Sequence, residues 1–494
     1  MYHKQAKLLT TAYMIGLALY GWSGAAAAET LNEAAAKAIS KQPELRSRFY
    51  DYRAAGEDQK AIQGRYLPRV DVTASYNHEW QTRPLTGDTD FNHPSIGVSL
   101  RQTIFDGLYT QSESRRLGYT RETRYFEVQA ASDDMAVEAA RAYYDVLRYR
   151  KLADLARDNY ATHREIYTQI EERVKAGVGR RVDLEQAAGR MALAESNWLT
   201  EQANLYDVTA RYARVIGEEP PKDLIEPGSL DKVLPKGDEL LGLAIKSNPT
   251  FRAAIANIRA ARARIDTQKS NNWPKLEFVA SRSFDKDRDG VDGNYRDGLV
   301  GVSLNWNLFN GGTDAANTRS AAESYNGALE LRDKVCRDVR QTTQSAWNNV
   351  VRLREQLAYL DQHQLSTEKA RDAYRKQFDI GQRTLLDVLD SENELFDARR
   401  ALTNGEYDQK VAVVRVLGQS HTLLPALKLQ SLVDSEKLDD DLGDKQTADE
   451  MVGCSTNLPA LGSLDKDAAM VGRPPIATLK ELEKAKTDAD KAKK

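Results

Sequence analysis

The stretch Gly177-Val178-Gly179-Arg180-Arg181-Val182-Asp183-Leu184 has a counterpart in Gly381-Gln382-Arg383-Thr384-Leu385-Leu386-Asp387-Val388, 204 positions further on. The same offset carries Gly97 to Gly301, Phe105 to Phe309 and Gly107 to Gly311, while Pro43 and Pro68 match Pro249 and Pro274 at an offset of 206. The chain is therefore written twice. Each copy reads as a short helix, a strand, a polar loop, a second strand and two long helices. Two strands per copy put four strands in one polypeptide, and that number shapes everything that follows.

Helical signal dominates both copies. No proline lies between Pro94 and Pro220 or between Pro274 and Pro425, and Thr110–Ala176 and Thr313–Ile380 hold one glycine each, Gly118 and Gly327. At about 1.5 Å per residue such a segment reaches roughly 100 Å, several times the length of an ordinary globular helix. Its apolar positions are sparse and small: Ala136, Ala139, Ala140, Tyr143, Tyr144, Leu147. Helices of this kind pack side by side as coiled coils or as staves of a tube.

The strands alternate with period two. Val70, Val72, Ala74 and Tyr76 are separated by polar residues, and Ile96, Val98, Leu100 and Ile104 by Gly97, Ser99, Arg101 and Thr103. In the second copy Leu276, Phe278 and Ala280, then Val300, Val302, Leu304, Trp306 and Leu308, do the same. The expected strands are near 69–80, 95–106, 275–285 and 297–309, a length that suits a tilted membrane strand. Trp80, Trp273 and Trp306 fall near strand ends, as in outer-membrane barrels. A sheet packed on a soluble core gives the same alternation. The loops Gln81–Pro94 and Asp285–Asp297 are polar. Asp285-Lys286-Asp287-Arg288-Asp289-Gly290 imitates the start of a calcium loop, but Arg296 stands where a bidentate glutamate belongs.

At the N-terminus Lys4 and Lys7 precede an apolar run from Leu8 to Trp22, and Ala26-Ala27-Ala28 offers a cleavage site before Glu29. Residues 1–28 read as a secretory signal peptide, the run being too short for a comfortable membrane anchor. The expected organisation continues with a first repeat at 29–219, a proline-rich linker at 220–238, a second repeat at 239–418 and a polar, partly disordered tail at 419–494. No stretch of eighteen apolar residues occurs elsewhere, so any membrane passage must be made by strands. A net charge of −3 gives no reason to expect nucleic acid. Cys336 and Cys454 are the only cysteines; whether they pair is not legible. The six histidines have no metal spacing, and neither a nucleophile elbow nor a phosphate loop is present, so no catalytic residue, metal or cofactor is expected.

Backbone groups in hydrocarbon must all be paired, so a spanning sheet has to close. Four strands cannot do this alone. Two copies would bring about eight, a plugged cylinder, and three about twelve, enough to leave water inside. Phe105-Asp106-Gly107 and Phe309-Asn310-Gly311 mark the strand-to-helix switches, so the helices continue directly from the barrel.

These switches, Leu67-Pro68 and Trp273-Pro274 ahead of strands, and Gly381-Gln382-Arg383-Thr384-Leu385-Leu386-Asp387-Val388-Leu389-Asp390 resemble the TolC family of outer-membrane channel proteins over about residues 29 to 418. The resemblance implies a mainly α fold with a membrane β-barrel: a homotrimer whose 12-stranded barrel in outer-membrane lipid continues into a periplasmic α-helical barrel. It implies service to an inner-membrane ABC or RND-type pump through a periplasmic membrane-fusion adaptor, most readily in type I protein secretion, with multidrug efflux as the alternative. It places Asp387 and Asp390 as acidic rings at the periplasmic entrance, where carboxylates favour cations. Thr384–Asp387 also reads as a capping box. Asp183 and Arg383 correspond to an entrance latch. Phe378 stands where the family has tyrosine, and Val182 lacks a matching hydroxyl, so the latch is expected to be weaker. A periplasmic coiled-coil scaffold would share the helices but leave four amphipathic strands unexplained.

Overall fold

The computed structural model describes residues 28–436 apart from 85 and 86, together with 454, 462, 464–471, 483 and 484. The signal-peptide reading and most of the expected disordered tail lie outside these residues. Leu458–Lys494 is a separate unit, whose described residues include a short turn at Ala468–Met470. All else concerns the unit before it.

The duplication is reproduced element by element. The first copy runs α1 (Leu31–Lys41), α2 (Pro43–Gln63), β1 (Arg69–Arg83), β2 (Gly87–Phe105), α3 (Tyr109–Lys175) and α4 (Arg181–Ile216). The second runs α5 (Gly237–Ser247), α6 (Pro249–Lys269), β3 (Lys275–Lys286), β4 (Asn294–Asn305), α7 (Thr313–Asp379) and α8 (Leu385–Gln419). The paired helices α3 and α7 both have 67 residues, and α2 and α6 both have 21. Pro43 and Pro249 start α2 and α6 at a position where a missing N–H costs nothing. Thr30 and Glu33 form a reciprocal capping box on α1.

Small residues let the long helices lie close. Ala136, Ala139, Ala140 and Ala156 on α3 and Ala187 on α4 are fully buried. No described helix is long and apolar enough to cross a membrane.

The strands form one antiparallel sheet in the order β1-β2-β3-β4, so β1 and β4 each keep one edge unpaired within the chain. Register places Val70 opposite Leu100, Leu100 opposite Ala280 and Ala280 opposite Val300, a continuous apolar row across all four strands. Val70 is 59% exposed and Val300 76%. A sheet packed on a soluble core would bury that row; here its outer members stand exposed and the inner Leu100 and Ala280 are only half-buried.

β2 begins at Gly87, eight residues before the alternation predicts, and β4 spans Asn294–Asn305 instead of 297–309. The expected loop at 81–94 is thus largely paired. Polar cross-strand contacts replace the apolar signal: Thr82 Oγ1 donates to Asp88 at 2.7 Å, and His93 Nδ1 lies 3.0 Å from Glu79. At the other tip Asp289 pairs with Arg83 at 2.8 Å, and Arg288 pairs with both Asp285 and Asp297. The calcium-like loop therefore spends three of its carboxylates on arginine, and no metal-ligating cluster occurs among the described residues.

Residues 419–436 depart from the expected tail. A short helix α9 (Leu423–Ala426) and the buried Leu423, Leu424, Leu427 and Val433 pack them into the body. Ser431 hydrogen-bonds Ser132 of α3 at 2.9 Å, Asp434 accepts from Gln129 at 3.1 Å, and His421 pairs with Asp133. Burial opposes charge on His421, but Asp133 and Asp434 together outweigh it and raise its pKa. The spaced leucines were too few to stand out against the polar sequence that follows. Cys336 of α7 is disulfide-bonded to Cys454, with Cα atoms 5.9 Å apart.

Candidate functional site

Two helix-to-helix turns close the ends of α3/α4 and α7/α8 in the same way. Gly177 and Gly381 both adopt φ of +76°, a left-handed C-cap that glycine takes without strain. Gly177 N–H reaches Val174 O at 3.0 Å and Gly381 N–H reaches Phe378 O at 2.9 Å. These bonds satisfy carbonyls that the helix ends leave open.

The helices that leave the turns start differently. Asp387 accepts from the Thr384 N–H at 3.1 Å and from its hydroxyl at 2.7 Å, while Thr384 Oγ1 accepts the Asp387 N–H at 3.3 Å. The hydrogen bonds to Thr384, helped by the nearby Arg383, hold the Asp387 carboxyl below its ordinary range. At the start of α4 the N-cap is Arg180, with no side-chain cap.

Below the turns lies a compact apolar knot: Ile166 and Ile170 of α3, Ala187 of α4, and Leu385, Val388 and Leu389 of α8. Phe378 belongs to it, packing against these residues with the Arg173 guanidinium 5.3 Å from its ring centre. Within the chain, Phe378, expected to weaken the entrance latch, thus makes apolar and cation–π contacts.

Asp183 and Arg383 are not joined within the chain. Asp183 pairs with Arg180 at 3.3 Å; Arg383 donates to Gln377 at 3.0 Å, lies 4.2 Å from the Tyr374 ring centre and is 3.7 Å from Asp387. Asp390 is ion-paired with Arg190 of α4, tying α4 to α8. Arg190, Gln377 and Tyr374 escaped the sequence reading. Arg190 lies seven residues after Asp183, on the same helical face, but that spacing carries no sign of Asp390 on another helix.

At the strand-to-helix switch the side chain between Phe105 and Gly107 carries the chemistry. Asp106 accepts from the Thr110 N–H at 3.1 Å and its hydroxyl at 2.5 Å, capping α3. Asn310 holds the matching place, donating to Asp314 at 2.5 Å. Gly107 has φ of +72° and abuts the segment after α6, where an added Cβ would run into Ser270 O and sit 2.8 Å from Trp273 Cβ. Gly311 has φ of +70° with open space around it. Phe309 is outside β4 and exposed.

A family model described as "Outer membrane efflux protein" matches residues 34–218 and 240–418, the two copies in turn. The chain belongs to this family. Among its relatives, the outer membrane efflux protein BepC of Brucella suis is 28% identical over 80% of this chain and 85% of its own. The outer membrane protein TolC of Escherichia coli is 26% identical over 83% and 86%. The alkaline protease secretion protein AprF of Pseudomonas aeruginosa is 23% identical over 77% and 82%. The Campylobacter jejuni CmeC outer membrane channel has the same fold, with a TM-score of 0.72 at 14% identity over 85% of this chain and 89% of that one. The TolC-like fold and outer-membrane location expected from the sequence hold.

Proposed function

We propose that this protein is the exit duct of a tripartite export system. Three copies close a 12-stranded barrel in outer-membrane lipid and a helical tube below it, and the duct receives cargo from an inner-membrane pump through a periplasmic adaptor. One observation carries the reading: the sheet has two open edges and an uncovered apolar face, yet passes directly into helices of 67 residues. Only further copies can pair those edges in lipid. The exposed turn residues Val178, Val182 and Ile380 offer the adaptor an apolar contact.

Asp387 and Asp390 then form carboxylate rings at the entrance, each tempered by an arginine of its own chain. The latch role of Asp183 and Arg383 belongs to contacts between copies, because within one chain each closes on its own turn. Type I protein secretion is the preferred cargo class, supported by kinship with a protein named for protease secretion. Small-molecule efflux is the second reading, favoured by the relative named for efflux.

The test is conductance of the purified protein in a planar bilayer. Block by trivalent cations is expected, and Asp387→Ala combined with Asp390→Ala should abolish it. A monomer that is soluble without detergent and forms no channel refutes the proposal. Deleting the gene and assaying secreted proteins against drug tolerance separates the two cargo readings.

A further inference from the structure

Above the apolar knot, α3 and α8 meet through a polar layer that the site described so far does not use. His163 of α3 is 1% exposed, and its Nε2 lies 3.2 Å from Asn393 Oδ1 of α8. Its Nδ1 has no partner, nor do the amide nitrogens of Asn159 and Asn393 beside it in the sequence of each helix face. The imidazole is therefore seated as a neutral ring, donating from Nε2 and bare at Nδ1.

Three carboxylates near this layer are turned to arginines, and Glu394 and Asp397 of α8 lie exposed. Glu392 of α8 is turned toward Arg371 and Arg375 of α7, at 3.7 and 3.8 Å. Glu165 of α3 also faces Arg375, at 3.8 Å, and Asp390 of α8 is paired with Arg190 of α4. On the α4 side Tyr160 stacks on Trp198 at 5.6 Å, which adds no countercharge. A proton placed on His163 would create a buried cation without an anion to meet it.

We propose that the seam between α3 and α8 is an acid-sensitive clasp: proton uptake at the bare Nδ1 of His163 puts an unpaired cation into the buried seam, which opens to hydrate it and lets the two coiled coils of one chain part. Burial, aided by Arg190 and opposed by the hydrogen bond to Asn393, lowers the His163 pKa below its usual value. A histidine whose folded pKa is depressed is neutral in both states above about pH 6.5, so the seam is intact there. As pH falls further the unfolded or opened form takes up protons first, and the seam loses stability until the folded pKa is passed. The consequence for a duct, wider entry in acid, rests on the function proposed above; the clasp itself does not.

Hydrogen exchange of the full-length protein in detergent, corrected for intrinsic rates, tests this at about pH 7.5 and about pH 5. Amides at 155–170 and 386–397 should lose protection by about tenfold on acidification, and His163→Gln should flatten that change. Equal acid loss in His163→Gln, or no loss in the wild type, overturns the clasp. Histidine NMR provides a reading that needs no variant: a His163 resonance titrating at or above the ordinary value overturns it, and one that stays neutral well below supports it. Bilayers without channels, with the seam still loosening in acid, uphold this inference and refute the duct.

Discussion

Replacing Leu389 by alanine should unfasten the tip of the helical pairs without unfolding the molecule. Leu389 has no exposed surface and sits in the knot that joins α3, α4 and α8. Truncating a packed leucine to alanine costs about 2–5 kcal/mol, depending on how far the surroundings collapse into the cavity. The knot has six buried members, and its rim of Tyr167, Val174, Leu184 and Phe378 is only partly buried and free to move in. That points to the lower half of the range, about 3 kcal/mol, or roughly a hundredfold in the local opening equilibrium. Amide exchange at 385–392 and 166–175 should accelerate by about that factor, while 405–417 stays unchanged. Leu386, three residues before Leu389 and 44% exposed, is the control, and its alanine variant should shift exchange by less than about threefold. Equal effects in the two variants, or acceleration spread along all of α8, would show that the knot does not hold the tip.

Two further outcomes are expected. Gly107→Ala should lower the melting temperature far more than Gly311→Ala: both lose a left-handed glycine, worth about 1–2 kcal/mol, but only position 107 also meets the backbone and Trp273. Equal melting shifts would contradict the close approach. For Asp387 the depressed carboxyl pKa means the cap contributes stability above the usual carboxylate value of about 3.9 and is lost as pH falls through the lower folded value. Exchange of the Thr384 and Asp387 amides should therefore stay slow at about pH 4.5, and Thr384→Val should move their loss to higher pH.

The repeat, the long helices and the four amphipathic strands were legible because each writes its period into local sequence. Val70, Val72 and Tyr76 announce a strand wherever they lie, and a proline-free run of this length can only be a very long helix. What stayed hidden depends on which helices become neighbours. Arg190 meets Asp390 because α4 lies beside α8, and His163 meets Asn393 because α3 does; no spacing along one helix records that. The same holds for Asp183 and Arg383, paired only through the family resemblance: within one chain Asp183 meets Arg180 and Arg383 meets Gln377. The hairpin tips were misjudged for another reason. Thr82, Asp88, Glu79 and His93 pair across strands through polar groups, and period-two hydrophobicity is blind to such ladders.

The two copies have drifted apart at their free ends: α8 opens on a reciprocal Thr384–Asp387 bond, whereas α4 opens on Arg180 with no such support. A ring assembled from such chains alternates firm and yielding teeth. In the trimer proposed above, a docking protein would meet a rim with threefold, not sixfold, compliance, and pressure applied evenly would be answered first by the teeth of the first copy.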